Sequence, residues 1–268
     1  MRSSPSLLRQ IREDRLPTIW CTGCGNGAVM SAFVRAVDEA GSDWNKICTV
    51  SGIGCSGRIG GYLRTDSIHV THGRALPVAL GAKLVRPDLT VVTFMGDGDA
   101  YSIGGNHLLH ASRRNDDVKA IVINNMTFGM TGGQLSPTTP LSLLDPSAAS
   151  LHEPRTLDGP VMSAVMGAAY VARWPASDFM QLKNSMKKAL GTRGFCLVEA
   201  LSQCPVHFGR RMAGEPRELV KWIKDATISI DEAAARGTTG GKMLVGEFSA
   251  PGEGVNASVL GLVRRRET

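Results

Sequence analysis

Aromatic residues make up only 5% of the 268 residues, and no stretch approaches the roughly 20 apolar residues that a membrane-spanning helix needs. The first scarcity, together with Lys and Arg that are scattered rather than clustered, argues against a nucleic-acid surface. The second leaves no candidate membrane span. The N-terminal MRSSPSLLRQIREDR mixes acidic and basic residues around no continuous apolar core, unlike a cleaved targeting peptide, so a cytoplasmic protein is expected. Cys21 and Cys24 form the one CxxC pair, and the second pair of a usual zinc ribbon is missing. The net charge of +6 suits a solvated surface, or the steering of an acidic partner. Hydrophobic content of 43% and charged content of 20% are those of an ordinary globular chain able to bury a full core.

The chain is organised around residues 90–140. Leu89 to Met95 is an apolar, β-branched run that predicts a buried parallel strand delivering a tight turn at Gly96-Asp97-Gly98. A helix is expected over Ile103–Arg114 and a second buried strand over Val118–Ile123, ending at Asn124-Asn125. In a right-handed β-α-β unit both strand ends open on the same sheet edge, where ligands of such folds bind. Asp97, the Asn125 side-chain oxygen and the Thr127 carbonyl then offer hard oxygen ligands for Mg²⁺. Gly96, Gly98, Gly129, Gly132 and Gly133 leave backbone N–H groups uncovered, as a diphosphate requires.

Six cysteines divide by their surroundings. Cys48 and Cys196 lie inside predicted strands and read as buried structural thiols. Cys21, Cys24, Cys55 and Cys204 fall in turns or just past a strand, and four thiolates can hold either zinc or a 4Fe-4S cluster. One pair plus two distant singles, the last followed by Pro205, leans toward the cluster. The turn Gly52-Ile53-Gly54-Cys55-Ser56-Gly57 also spells GxGxxG, but Gly60-Gly61 breaks the helix that a dinucleotide site would need. His69 and His72, beside the glycine turn that opens the helix Ala75–Val85, are candidates to donate to a phosphate oxygen.

GDG followed by NN resembles the diphosphate-binding signature of thiamine-diphosphate enzymes. With HGRALPVALGAK, IGGNHLLHASRRN and FGMTGGQLSPTTP, residues 20–208 resemble the β subunits of 2-oxoacid:ferredoxin oxidoreductases, the 2-oxoglutarate type above all. That resemblance implies an α/β fold with a doubly wound, mostly parallel sheet. It implies thiamine diphosphate, Mg²⁺ on Asp97, Asn125 and Thr127, and one 4Fe-4S cluster on Cys21, Cys24, Cys55 and Cys204. Cofactor contacts would come from Ile53, Gly54, Cys55, Ser56, His69, His72, Gly96, Gly98, Asp99, Gly129 and Met130. Arg58, three residues past Cys55, would face the substrate carboxylate. The implied reaction is coenzyme A-dependent oxidative decarboxylation of a 2-oxoacid, with electrons leaving through the cluster to ferredoxin. The glutamate that activates thiamine would sit on an α subunit, giving a dimer of αβ units. Two rivals stay in view at this point, a non-redox thiamine decarboxylase or synthase and a zinc-stapled structural subunit.

The remaining segments read as an exposed arm over residues 1–17, a cofactor-binding domain over 18–215 and an irregular tail over 216–268. A long connection is expected over Leu141–Pro160, helices over Val161–Ala172 and Asp178–Leu190, a strand over Phe195–Ala200 and a short helix over Glu218–Ala226.

Overall fold

Apolar, β-branched runs that bury both faces form the inner strands of one parallel sheet. The computed structural model describes residues 9–140, 156–212 and 215–264. The first half runs α1 (Asn26–Ala40), β1 (Ile47–Ser51), the single turn α2 (Ile59–Tyr62), β2 (Asp66–His69), α3 (Ala75–Val85) and β3 (Thr90–Gly96). A π-helical segment, Gly98–Ile103, leads into α4 (Gly105–Arg114), β4 (Lys119–Asn124) and the small hairpin β5 (Thr127–Phe128) and β6 (Gln134–Leu135). Then come α5 (Gly159–Val165), β7 (Tyr170–Pro175), α6 (Phe179–Gly191), β8 (Cys196–Leu201), α7 (His207–Met212) and α8 (Pro216–Asp225). The chain closes with β9 (Thr227–Ser229), α9 (Ile230–Arg236), β10 (Met243–Ala250), β11 (Gly254–Val255) and α10 (Ala257–Arg264).

The main sheet has the order β11-β10-β7-β8-β4-β3-β1-β2, with β9 against β10. The six strands from β7 to β2 are mutually parallel. Side chains alternate between the two faces, as a strand period of 2 requires. On β4, Ala120 and Val122 join the core beneath α3, α4 and α5, while Ile121 and Ile123 join the one beneath α1 and α6. The chain steps outward from β1 to β2 and then returns to the opposite side of β1 as β3. This reversal opens a crevice at the carboxyl ends of β1 and β3, the usual ligand position in a doubly wound sheet. Among the described residues no helix is long and apolar enough to cross a membrane.

Several elements differ from the sequence reading. The strand after Leu89 makes no tight turn at Gly96-Asp97-Gly98; it passes directly into the π-helical segment, so α4 begins at Gly105 rather than Ile103. The helix expected over Val161–Ala172 stops at Val165, because Gly167 adopts φ +102° and redirects the chain into β7. The expected irregular tail is instead part of the sheet, since β10 pairs antiparallel with β7. Its Leu244 and Phe248, with Val259 and Leu262 of α10, are buried in the core. The described part of the N-terminal arm is tied down: Ile11 bridges Leu63, and the Arg12 N–H donates to the Tyr62 carbonyl at 2.8 Å. The connection expected over 141–160 lies largely outside the described residues.

A buried ionic network joins the two halves of the sheet to the π-helical segment. Glu199 of β8, 0% exposed, accepts hydrogen bonds from Tyr101 Oη and Arg173 Nε. Arg173 Nη2 also reaches Asp158 Oδ1 at 2.8 Å, ahead of α5. Burial opposes the Arg173 charge, but the Asp158 and Glu199 carboxylates outweigh it and hold its pKa above the ordinary value. Removing one partner of such a group leaves the other charge uncompensated. Arg173→Met is therefore expected to destabilise the fold by ~3–5 kcal/mol in chemical denaturation, and Arg173→Met with Glu199→Leu to recover most of that loss. A single variant as stable as the parent would show the network to be energetically idle.

Candidate active site

The carboxyl ends of β1, β3 and β4 deliver three loops to one cleft. It is lined by Ile53, Gly54, Cys55 and Ser56 after β1, Gly96 to Asp99 after β3, and Asn125 with Thr127 to Thr131 after β4. His72 closes its side. Of the residues singled out in the sequence, the cleft gathers these, whereas Arg58 and His69 line a separate cavity beyond the Cys55–Arg58 turn. Phe128 and Thr131 are cleft residues that the sequence reading missed; the Phe128 ring lies against Gly98, where an added Cβ would meet Cε1 at 2.3 Å.

Asp97, 1% exposed, sits at the end of β3 with Thr138 Oγ1 2.8 Å from its Oδ2. The same hydroxyl is 2.9 Å from Asn124 Oδ1, which also accepts from the Met126 N–H at 3.1 Å. Met126 has φ +60°, an uncommon conformation for a non-glycine residue. The Asn125 amide consequently lies 2.8 Å from the Thr127 carbonyl oxygen and 3.1 Å from Asp97 Oδ1. With its nitrogen turned to them, the amide bridges two acceptors. With its oxygen turned to them, three oxygens converge on one point, a donor set that fits a hard divalent cation such as Mg²⁺. Burial, opposed by the Ser136 and Thr138 hydroxyls, pushes the Asp97 pKa from 3.8 up to about 6.

Asp99 is also buried, and it organises the opposite wall. Its Oδ1 accepts the Gly73 N–H at 2.6 Å and contacts His72 Nδ1. Gly52 must be glycine, because a Cβ there would lie 1.9 Å from Asp99 Oδ2. Burial raises the Asp99 pKa against the opposing pull of the Gly73 N–H and His72. When Asp99 is ionised it holds the His72 proton on Nδ1, which leaves Nε2 as the ring's other hydrogen-bonding atom.

The cysteines meet the same cleft from behind. A Cβ on Gly129 would lie 3.8 Å from Asn125 Nδ2, 3.9 Å from Cys204 Sγ and 4.0 Å from Cys55 Sγ. Burial pushes the Cys24 thiol up to about 11, with further upward contributions from Cys204, Cys55 and Cys21, so the four thiols lie within electrostatic reach of one another. Trp20 Nε1 donates to the Cys55 carbonyl at 2.8 Å, and Gln203 Nε2 to the Gly23 carbonyl at 2.9 Å. These bonds tie the CxxC loop to the other two cysteine loops, a function with no pattern in the sequence. Beside the thiols, both amide atoms of Asn26 and Ser202 Oγ are buried without partners. Among the described residues no three His, Cys, Asp or Glu side chains are gathered tightly enough for a single metal ion. Spread thiols flanked by orphaned donors fit a larger sulfur-bearing group, a 4Fe-4S cluster. Cys48 and Cys196 are buried within strands, away from this group.

Residues 52–200 match the thiamine pyrophosphate enzyme family in its C-terminal TPP binding domain. Fold and match together make this a thiamine-diphosphate-binding protein of the doubly wound class. The 2-oxoglutarate synthase subunit KorB of Methanothermobacter marburgensis is 46% identical over 265 residues, covering 97% of this chain and 92% of its own. The 2-oxoacid:ferredoxin oxidoreductase subunit beta of Saccharolobus solfataricus is 40% identical, over 70% of this chain and 62% of its own. A solved 2-oxoglutarate:ferredoxin oxidoreductase from Magnetococcus marinus, with 2-oxoglutarate, coenzyme A and succinyl-CoA bound, superposes with a TM-score of 0.80 at 29% identity, covering 100% of this chain and 92% of that one. The chain belongs to the KorB-type β subunits of the 2-oxoacid:ferredoxin oxidoreductases.

Asp97 takes up a proton on folding when no cation is present. Its contribution to stability is then complete below pH 3.8 and lost as pH rises through about 6. A cation in this cage binds the ionised carboxylate, so its affinity should fall about tenfold per pH unit below the Asp97 pKa. The rise in melting temperature on adding Mg²⁺ is expected to grow from about pH 5 to about pH 7. A rise independent of pH would move the cation away from Asp97.

Proposed function

We propose that this chain is the subunit of a 2-oxoglutarate:ferredoxin oxidoreductase that holds thiamine diphosphate, Mg²⁺ and one 4Fe-4S cluster. Together with an α subunit it converts 2-oxoglutarate and coenzyme A to succinyl-CoA and CO₂, passing electrons through the cluster to ferredoxin. The single observation that carries this reading is the convergence at Gly129 of the Asn125 amide with two cysteine sulfurs. An oxygen cage and a thiol group within a few ångströms of one glycine suit a reaction whose electrons leave where the carbon chemistry takes place. When bound, the thiamine cofactor supplies the electron sink for decarboxylation and the cluster accepts electrons one at a time.

The chain's own residues bind, orient and exclude. Asp97, Asn125 and the Thr127 carbonyl hold the cation that carries the diphosphate, and the backbone at Gly96, Gly98 and Gly129 admits its oxygens closely. His72, held by Asp99, offers a hydrogen bond to the cofactor, and Ile53, Gly54, Ser56 and Met130 line its bed. Cys21, Cys24, Cys55 and Cys204 ligate the cluster as thiolates, which requires the iron to overcome the raised pKa values of Cys24 and Cys55. Arg58 lines the neighbouring cavity and takes no part in the cofactor bed. The α subunit supplies the glutamate that activates the thiamine pyrimidine, and two αβ units form the working enzyme.

The test is anaerobic purification of the αβ complex with assays for iron, sulfide, zinc and thiamine diphosphate. Iron and sulfide in equal amounts, thiamine diphosphate, and 2-oxoglutarate-dependent bleaching of the cluster absorbance are expected. Cys204→Ser should lose most of the iron while keeping thiamine diphosphate. Zinc in place of iron, or iron undiminished by Cys204→Ser, would overturn the cluster assignment.

A further inference from the structure

Three buried polar atoms beside the thiols have no partner in the protein: Nδ2 and Oδ1 of Asn26, and Oγ of Ser202. The two side chains are 1% and 3% exposed, so bulk water does not satisfy them. An amide or hydroxyl buried without a hydrogen bond is unfavourable, and each such group in a fold calls for an explanation. Both residues adjoin the sulfur loops. Asn26 follows Cys24 by two residues and opens α1, whereas Ser202 leaves β8 two residues before Cys204. The two loops are pressed together at Gly25: a Cβ there would lie 2.3 Å from Ser202 Oγ and 3.1 Å from Gln203 Oε1, and the Gly25 N–H donates to the Gln203 carbonyl at 3.5 Å. No side chain caps the first turn of α1, a helix of 15 residues. Burial raises the pKa of the Cys24 thiol, and a hydrogen bond from the Asn26 backbone pulls the other way, so the first N–H of the helix already serves a sulfur.

We propose that Asn26 Nδ2 and Ser202 Oγ donate hydrogen bonds to the sulfurs of the cluster and set its reduction potential. The proposal rests on the assignment of Cys21, Cys24, Cys55 and Cys204 as the cluster ligands. A group bounded by thiolate and sulfide sulfurs offers acceptors to an N–H and to an O–H alike. The Asn26 amide oxygen finds no donor in such a group, so its nitrogen is the atom that contributes. Four thiols complete the ligand set, which leaves the amide and the hydroxyl as outer partners rather than ligands. Their effect falls more on one oxidation state than on the other. Reduction adds one electron, supplied by the 2-oxoacid reaction, and the added negative charge spreads over the sulfurs. Donors held against those sulfurs stabilise the reduced form, keep their own protons, and raise the potential.

The experiment uses the anaerobically purified αβ complex and follows the electron paramagnetic resonance signal of the reduced cluster through a potentiometric titration. Ser202→Ala and Asn26→Leu each remove one donor. Loss of one hydrogen bond from the reduced form predicts an equilibrium constant for reduction about tenfold smaller, a fall in midpoint of about 59 mV for a one-electron couple, and the double variant should fall further. Ser202→Thr, which keeps the hydroxyl, should restore the parent midpoint. Electron–nuclear double resonance in H₂O and D₂O gives a second readout: one exchangeable proton coupled to the reduced cluster should vanish in Ser202→Ala. Ser163 on α5, across the sheet from α1, has an equally buried hydroxyl without a partner, and Ser163→Ala should change neither measurement. Should Asn26→Leu fail to assemble, Ser202→Ala decides alone. A Ser202→Ala complex with the parent's iron and sulfide content, midpoint and proton couplings would overturn the proposal and assign the orphaned atoms to buried water. A parent complex without iron and sulfide would instead overturn the cluster assignment, and this proposal with it.

Discussion

Two demands of opposite chemical character meet at one glycine. A hard cation wants buried carboxylate and carbonyl oxygens, and an iron-sulfur cluster wants thiolates, yet one member of the first group, the Asn125 amide, and two cysteine sulfurs come within about 4 Å of the Cβ that Gly129 lacks. The sheet makes this possible. Asp97 ends β3, Asn125 follows β4 and Cys204 follows β8, and these strands are adjacent and parallel, so their carboxyl ends share one edge. Cys55 arrives from β1, across the reversal in strand order. A Cβ at 129 would meet the Asn125 amide and both sulfurs at ordinary van der Waals distances, so Gly129 marks where the two groups approach rather than a steric need for glycine.

Holding Asp97 and Asp99 in a nearly dry cleft is unfavourable, and the surrounding structure offsets it with rigid packing rather than with positive charge. Thr138 and Gly73 donate to the two carboxylates, while the buried Arg173 serves Glu199 and Asp158. Tyr101 links these two systems, since it lies in the π-helical segment two residues beyond Asp99 and donates to Glu199. The segment that follows Asp97 and carries Asp99 is thereby anchored, and β10 pairs with β7, the strand that carries Arg173, whose Nη1 donates to the Leu244 carbonyl of β10 at 3.3 Å. A C-terminal strand with no contact to the cleft thus supports it through three buried side chains.

Much of this was legible in the sequence, for identifiable reasons. Buried parallel strands announce themselves as apolar runs, and Asp97 and Asn125 stood at the ends of two of them, so their convergence followed from the handedness of the crossover. The two cysteines set aside as structural were those inside strands. Failures came where tertiary context outweighed local pattern. Met126 carries no sequence mark of its left-handed conformation, and without it the Thr127 carbonyl would not face Asn125. Tyr170 to Ala172 extends a helix-like pattern, but Gly167 ends that helix and β8 offers a parallel edge. The C-terminal residues looked irregular because β10 has glycine, glutamate and serine within it, and its strand character comes from pairing with β7 rather than from its own composition. Arg58 was placed at the substrate by resemblance, and His69 at a phosphate by its position near a helix start; both line the cavity beyond the Cys55–Arg58 turn instead.

The cation-free state has a consistent electrostatic character. Burial raises the pKa of Asp97, Asp99, Cys24 and Cys55 together, so the folded chain favours protonated carboxyls and thiols at its centre. Burial leads the rise at Cys24 and Cys55 and the neighbouring cysteines add to it, so a positively charged group held there would ease the ionisation of these two thiols. Because the Asn125 amide and the Cys55 and Cys204 sulfurs share Gly129 as a neighbour, the loop from Asn125 to Gly133 borders the oxygen donors and the thiols alike.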